Sequence, residues 1–314
     1  MNGLSVILLL IGFVLLIKGA DVFVDASAGI ARNLKVPNLV IGLTIVAFGT
    51  SAPEAVIGIS AALGGSSELA IGNSIGADIF NLIFIIGFCA LVRPMKVEFK
   101  DIARDYWVAL MGPILLLLMV FFFEDDIPRF GAVALLLIFT AYVIVVVKQA
   151  LKSRETHAEE VKEEEIKPLG RNALIALVGL TLIIVGGELT VHNAVRIAHA
   201  IGISKRVVGL TIIAIGTSLP ELIISFTAAR RGENSLAIGN IIGSSIFNIM
   251  FVLGVSGMIL PLAIDSGLMF DIAALLIGSF VLLIFVLTKK QIARYEGLTM
   301  VIMYVAYITY VVLN

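Results

Sequence analysis

The chain alternates long apolar segments with short polar connections. A membrane-spanning helix needs about 20 mostly apolar residues. Ten segments meet this length: 3–28, 38–63, 69–92, 105–123, 130–148, 171–198, 206–229, 236–260, 268–288 and 295–313. The pattern predicts an all-α polytopic membrane protein with ten transmembrane helices.

One pattern of apolar and polar positions occurs twice. With a shift of 167 residues, 42–87 lies over 209–254 without a gap, and 26 of the 46 positions are identical. Each copy belongs to a half with five predicted spans, 1–148 or 171–314, and the polar stretch 149–170 links the halves. Because five is odd, the second half must enter the membrane from the opposite side. We therefore predict two inverted-topology five-helix repeats, a plan that many secondary transporters share.

Composition agrees with this class and excludes others. The chain is 60% hydrophobic and 14% charged, whereas soluble domains average about 45–50% apolar and 25% charged residues. The net charge is −1 and no basic cluster is present, so we expect no nucleic-acid partner. The sequence contains neither a nucleophile–base constellation nor an HExxH motif, and we predict that the protein is not an enzyme. We infer neither a cofactor nor a protein partner. The lipid bilayer is the expected surrounding of the chain.

Lysine and arginine are distributed unevenly over the connections. With the N-terminus outside, the connections on the cytoplasmic side carry 17 of these residues and those on the external side carry four. Positive residues are enriched in cytoplasmic loops. We therefore predict a multi-pass protein of the plasma membrane with both termini outside and the 149–170 linker in the cytoplasm.

Each copy of the repeat places a carboxylate inside an apolar span. The stretch AFGTSAPE ends in Glu54, and AIGTSLPE ends in Glu221. A charge near the bilayer centre costs at least about 2.5–3.5 kcal/mol, so it should face a cavity or a partner. Pro53 and Pro220 lack the N–H that a helix interior needs, and we expect them to free carbonyls of the preceding turn around an enclosed polar site. The inverted axis would bring the two glutamates face to face.

The same blocks supply further oxygen atoms. They come from hydroxyls, amides and backbone carbonyls, at Thr50, Ser51, Thr217, Ser218, Ser244, Asn81, Asn248, Ala47 and Ala214. One polar residue in a membrane helix is more often interhelical glue, but a duplicated set beside a duplicated glutamate favours function. Neither His nor Cys accompanies these oxygens, which disfavours zinc, copper and iron. Two carboxylates with neutral oxygens suit Ca²⁺ better than Mg²⁺, and Na⁺ or protons can replace Ca²⁺ there.

The paired blocks GTSAPE/GTSLPE and GNSIGADIFN/GNIIGSSIFN resemble the α-repeats of the Ca²⁺/cation antiporter superfamily. The likeness is greatest to the sodium/calcium exchanger branch in its compact prokaryotic form. The resemblance implies a core of spans 2, 3, 7 and 8, across which spans 1 and 6 slide during alternating access. Transport of Ca²⁺ against Na⁺ is the function it implies.

The resemblance also implies roles for individual residues. Glu54 and Glu221 would be the chief Ca²⁺ ligands. The implied secondary ligands are Thr50 and Thr217 for Ca²⁺ and Na⁺, the carbonyls of Ala47 and Ala214 for Na⁺, the hydroxyls of Ser51, Ser218 and Ser244, and the amides of Asn81 and Asn248 at the centre.

Two positions depart from the family pattern. The family often has serine where this chain has Ala77, and some members, including K⁺-dependent exchangers, have aspartate where it has Asn248. Asparagine there argues against K⁺ dependence and leaves two carboxylates at the centre. Asp78 is one residue from Ala77 and three from Asn81. Either it reaches the ion site and restores a third carboxylate, or it faces a neighbouring helix or the vestibule.

Three functions are compatible with these residues. Na⁺/Ca²⁺ antiport is the leading prediction. H⁺/Ca²⁺ antiport is the alternative, because a glutamate pair can exchange protons and one hydroxyl of the family set is missing. A Ca²⁺ channel is disfavoured, because conduction needs weak or multi-site binding and not one enclosed site.

One acidic group outside the motifs lies towards the cytoplasmic end of the first span. Lys18, Asp21 and Asp25 share one helical face, which predicts a local ion pair. The repeat mates of the two aspartates are Glu188 and His192.

Overall fold

Twelve helices and four short strands make up the described part of the chain. The computed structural model describes residues 3–123, 126–156, 168–200, 214–263 and 266–313. The helices are α1 Gly3–Leu34, α2 Asn38–Thr50, α3 Ala52–Leu63, α4 Ser67–Val92, α5 Phe99–Phe122, α6 Arg129–Thr156, α7 Leu169–Ala200, α8 Ala214–Thr217, α9 Leu219–Arg231, α10 Asn234–Ile259, α11 Ser266–Lys289 and α12 Arg294–Leu313. The strands are β1 Met95–Lys96, β2 Asp126–Ile127, β3 Leu262–Ala263 and β4 Gln291–Ile292.

The long helices correspond to predicted spans. Within the described ranges, eight helices are long and apolar enough to cross a membrane, and α2 and α3, bent by 50° at their junction, pass the same test as a pair. Predicted span 206–229 lies partly outside the described residues, which include its second part as α8 and α9. α6 continues to Thr156, into the predicted 149–170 linker. The first residues of this linker are therefore helical, although their polarity ends the apolar pattern.

α1 and α7 pack antiparallel with their backbones in contact. A Cβ atom added at Gly12 would lie 2.8 Å from the carbonyl oxygen of Gly186, and one at Gly19 would lie 2.9 Å from that of Gly179. Small residues allow such close approach between membrane helices. Gly179 is the repeat mate of Gly12, and Gly186 is the mate of Gly19. Each glycine therefore meets the mate of the other, which is the pattern that a two-fold axis produces.

The strands join the two halves crosswise. β1 pairs antiparallel with β4, and β2 pairs antiparallel with β3. The prediction of an all-α chain omitted these strands, because two residues are too few to show a strand period. Arg93 and Leu260 are extended, as expected for residues that precede a proline. These prolines end α4 and α10 and direct the chain into β1 and β3.

The repeat blocks lie at the centre of the fold. The most apolar window of α10 is 94% buried and that of α4 is 72% buried, against 28% for α1 and 22% for α12. The motif-bearing helices are therefore surrounded by protein. The outer helices present most of their apolar side chains to the surroundings, as membrane helices do towards lipid.

An ion pair connects α1 to the end of α9. Arg231 Nη2 lies 2.8 Å from Asp21 Oδ1, and Arg231 Nη1 also contacts Asp25. The predicted ion pair between Lys18 and the aspartates of α1 is therefore wrong. Their partner is Arg231 from the other half, and the side chain of Lys18 is exposed. At the same end of the molecule, Arg93 Nη1 donates to the carbonyl of Arg230 at 2.7 Å.

Candidate ion-binding site

The candidate site lies at two helix breaks. Ser51, between α2 and α3, has φ −83° and ψ 8°, and Ser218, between α8 and α9, has φ −91° and ψ 12°. A proline follows in the first turn of each next helix, where its missing N–H costs no hydrogen bond. The breaks therefore place Glu54 and Glu221 at equivalent positions near the start of α3 and α9.

The two glutamates are held by serines of the opposite half. Ser51 Oγ donates to Glu221 Oε1 at 2.9 Å, and Ser218 Oγ donates to Glu54 Oε1 at 3.1 Å. All four side chains are completely buried. The second carboxylate oxygen of each glutamate has no hydrogen-bond partner among the described residues. Buried oxygens are normally satisfied, so this pair presents two carboxylate oxygens suited to a cation.

Thr50 connects the first break to α10. Its hydroxyl lies 3.1 Å from the Ala47 carbonyl and 3.1 Å from Asn240 Oδ1, and it also lies beside the Glu221 carboxyl. One hydroxyl proton cannot serve three acceptors. The oxygens around Thr50 are therefore richer in lone pairs than in donors, which favours a cation.

The Ala47 carbonyl was expected to lack its helical hydrogen bond because of the following proline, but it keeps that bond. It accepts the Ser51 N–H at 3.0 Å and lies 3.5 Å from Ser244 Oγ. The reason is geometric: Pro53 removes the hydrogen bond to the residue four positions earlier, which is Gly49. A carbonyl oxygen has two lone pairs, and hydroxyl groups can rotate away when a cation approaches.

Wide helical turns position the asparagines. Residues Phe80–Ile85 in α4 and Phe247–Val252 in α10 are repeat mates, and both form π-helical turns, which occur often at functional sites. Asn81 and Asn248 are the second residues of these turns and are completely buried. Within the described ranges, the Asn81 amide has no hydrogen-bond partner, nor has Asn248 Oδ1. The sequence did not predict the π-helical turns, because they leave the apolar pattern unchanged.

Asp78 contacts a predicted site residue. Asn248 Nδ2 donates to Asp78 Oδ1 at 3.1 Å, and Asp78 is completely buried. Asp78 also interacts electrostatically with Glu54 and Glu221. Of the two orientations considered for Asp78, the hydrogen bond supports the one towards the centre.

Two further asparagines support the site and were not singled out in the sequence. Asn240 Nδ2 donates to Ser225 Oγ at 2.9 Å, so its Oδ1 is directed to Thr50. Asn73, the repeat mate of Asn240, donates to the backbone carbonyl of Glu54 at 3.1 Å. The sequence feature that could have indicated them is the duplicated AIGN tetrapeptide, which ends in Asn73 and in Asn240. Their role in positioning Thr50 and Glu54 becomes visible only from the hydrogen bonds.

The remaining two predicted residues lie in α8, the helix that precedes the second break. Ala214 is the first residue of α8, and Thr217 is its last and is half-buried. In the described part of the chain, no group of three or more His, Cys, Asp or Glu side chains could hold a metal ion. The centre consists instead of two facing carboxylates among hydroxyl, amide and carbonyl oxygens, a set that suits hard cations with flexible coordination.

Comparison with known proteins gives consistent results. The sequence model described as "Sodium/calcium exchanger protein" matches residues 4–148 and 171–313. The putative antiporter CaxA of Alkalimonas amylolytica is 37% identical, over 96% of this chain and 97% of its own length. The sodium/calcium exchanger MaX1 of Methanosarcina acetivorans is 32% identical, over 98% of both chains. A structure of the sodium-calcium exchanger NCX_Mj superposes with a TM-score of 0.85 at 32% identity, over 98% of this chain and 99% of that one.

Proposed function

The chain belongs to the sodium/calcium exchanger family, and we propose that it exchanges Ca²⁺ for Na⁺ across the membrane by alternating access. The family and the neighbouring structures are exchangers, which supports a multi-pass membrane transporter. The observation that carries the proposal is the crosswise pair of serine–glutamate hydrogen bonds. These bonds enclose two carboxylates at the junction of the halves, where inverted-repeat transporters bind their substrates.

Ca²⁺ is the proposed ion of the glutamate pair. Glu54 and Glu221 each have one carboxylate oxygen without a hydrogen-bond partner among the described residues. Two carboxylates neutralise the charge of a divalent ion. Neutral oxygens raise the number of ligands towards the 6–8 oxygen atoms that Ca²⁺ takes. We assign Thr50 and Thr217 as neutral ligands of this Ca²⁺ ion.

Na⁺ is the proposed exchanged ion. Without Ca²⁺, two buried carboxylates that repel each other need other positive charges. The oxygens assigned to Na⁺ and to the centre are those of Ala47, Ala214, Ser51, Ser218, Ser244, Asn81 and Asn248. Because Glu54 and Glu221 serve both ions, Ca²⁺ and Na⁺ cannot occupy the site together, and this exclusion couples their movements.

We also propose ten spans in two inverted five-helix repeats, 1–148 and 171–314, with both termini outside and a cytoplasmic linker at 149–170. The antiparallel glycine contact between α1 and α7 supports this plan, as does the crosswise strand pairing. The connections assigned to one side also meet: Arg93 reaches Arg230 at one end, and β2 reaches β3 at the other.

Proton-coupled Ca²⁺ exchange is the second candidate. It is favoured by Ala77, which lacks the hydroxyl that its repeat mate Ser244 directs towards the Ala47 carbonyl. One experiment separates the candidates: uptake of radiolabelled Ca²⁺ into vesicles of purified protein, driven by a Na⁺ gradient or by a pH gradient. We expect uptake with the Na⁺ gradient alone. Uptake with the pH gradient alone would establish the proton-coupled alternative.

A further inference from the structure

Asp78 is a buried carboxylate that is only half satisfied. Its Oδ1 accepts the Asn248 amide, whereas its Oδ2 has no hydrogen-bond partner among the described residues. None of the ion pairs in the described ranges involves Asp78. Burying a charge without a compensating positive charge is costly. One hydrogen bond from a neutral amide compensates only weakly for the burial of a negative charge. A cation bound beside Asp78 would supply the missing compensation.

The neighbouring oxygens are also without partners. Asn248 donates its amide hydrogen to Asp78, and its own Oδ1 is left unbonded within the described ranges. The hydroxyl of Ser245, the repeat mate of Asp78, lies beside the carboxyl without forming a hydrogen bond of good geometry. One charged oxygen and two neutral oxygens around the Asp78–Asn248 bond therefore lack a hydrogen-bond partner among the described residues.

We propose that Asp78 and Asn248 form a subsite for a monovalent cation, in which Asp78 supplies the negative charge and Asn248 supplies a neutral oxygen. The proposal rests on the proposed Na⁺/Ca²⁺ exchange and assigns one Na⁺ to this position. The subsite combines one residue from each half and has no repeat-related counterpart, because serine occupies the equivalent of Asp78 in the second half.

The charge of the group selects the class of ion. A single carboxylate balances one positive charge. The described residues contain no group of three His, Cys, Asp or Glu side chains that could hold a metal ion, and the proposal accordingly assigns Asp78 to a position separate from the Glu54–Glu221 pair. Ca²⁺ sites gain affinity from additional carboxylates, whereas Na⁺ is satisfied by one carboxylate and neutral oxygens.

Moving the charge across the hydrogen bond tests this assignment. Asp78→Asn removes the charge, and Asn248→Asp combined with Asp78→Asn restores it on the partner of the same bond. Asp271→Asn is the control, since it removes another aspartate of the membrane region, one that accepts a hydrogen bond from Tyr307 at 2.8 Å. Two rates are compared in vesicles: Na⁺-driven Ca²⁺ exchange as a function of Na⁺ concentration, and Ca²⁺ self-exchange without Na⁺.

In Asp78→Asn, the Na⁺ concentration for half-maximal exchange should rise by about tenfold or more, because a unit charge close to the bound ion is lost. Ca²⁺ self-exchange should fall by less. The double variant should recover most of the Na⁺ affinity, and Asp271→Asn should match wild type. Superimposable Na⁺ curves for wild type and Asp78→Asn would overturn the subsite. A double variant with no better Na⁺ affinity than Asp78→Asn would also overturn it. If Asp78→Asn alone folds poorly, the double variant is compared with wild type, and a loss of Na⁺ affinity of about tenfold or more overturns the subsite. Wild-type protein without any Na⁺-driven exchange would instead refute the proposed function.

Discussion

The two halves contribute equivalent contacts at the glutamate pair and different ones a short distance away. Ser51 bonds Glu221, and Ser218 bonds Glu54 in return. Next to this symmetric centre, Asp78 has the neutral Ser245 as its mate, and at the end of α9 the mate of Arg231 is Gly64. Inverted-repeat transporters bind their substrates at the interface of the repeats, so equivalent ligands from both halves are expected where Ca²⁺ is proposed to bind. Departures from symmetry mark positions where ion preference or stability can differ between the halves.

Removing either glutamate charge should have the largest effect. Glu54→Gln and Glu221→Gln should each lower Ca²⁺ transport by about 100-fold or more, because a fixed charge in contact with a dehydrated divalent ion is lost. Ca²⁺ flux in vesicles measures this, and Glu68→Gln, which changes an exposed residue of α4, is the control. Near-normal transport in either variant would refute the site, and strongly unequal losses would show that the centre is not symmetric.

The crossed serine bonds should matter next. Ser51→Ala and Ser218→Ala each remove a hydrogen bond to a carboxylate, worth about 1.5–3 kcal/mol. We expect Ca²⁺ affinity to fall by about 10-fold to 100-fold, by similar factors in both variants. Equilibrium Ca²⁺ binding to purified protein checks this. A large loss in one variant and none in the other would contradict the equivalence of the two bonds.

The contact between α1 and α7 should tolerate no side chain. Gly19→Val places a Cβ 2.9 Å from the Gly179 carbonyl oxygen, and such overpacking costs about 1–3 kcal/mol. Its counterpart Gly186→Val should cost a similar amount. Thermal unfolding in detergent measures both, with Gly170→Ala as the control because its Cβ would have no heavy atom within 4 Å. Full stability in both valine variants would rule out the close packing.

The ion pair between the halves should have the smallest effect. Arg231 is about a third exposed, at 30%, and exposed ion pairs contribute about 0–1 kcal/mol. Arg231→Gln should lower the unfolding temperature slightly at low salt and less at high salt, because ions screen the pair. Arg230→Gln is the matched control, since only its backbone carbonyl contacts Arg93. A large loss of stability that high salt leaves unchanged would show that Arg231 acts through packing.

Sequence reasoning succeeded where one residue type has one strong physical effect. The prolines predicted the breaks at Ser51 and Ser218, because a missing N–H is incompatible with a helix interior. The duplicated glutamates predicted a buried centre formed by both halves, because a carboxylate in an apolar span needs compensation. Both features follow from local chemistry and from the repeat.

Features that depend on distance between segments could not be predicted. Asp78 had two equally acceptable orientations until its contact with Asn248 was observed. The partner of Asp21 and Asp25 is Arg231, more than 200 positions away in the chain, whereas spacing alone favoured Lys18. Strand pairing of two residues each leaves no periodic signal. Local patterns indicate which groups need partners, and the fold decides which partners they receive.

Competition between the two ions at equilibrium tests the central claim most directly. Ca²⁺ binding to the purified protein is measured at several fixed Na⁺ concentrations, with choline keeping the ionic strength constant. Mutually exclusive occupancy of Glu54 and Glu221 predicts that Na⁺ raises the apparent Kd for Ca²⁺ progressively and leaves the number of bound Ca²⁺ ions per chain unchanged. Ca²⁺ binding that is independent of Na⁺ would contradict the account.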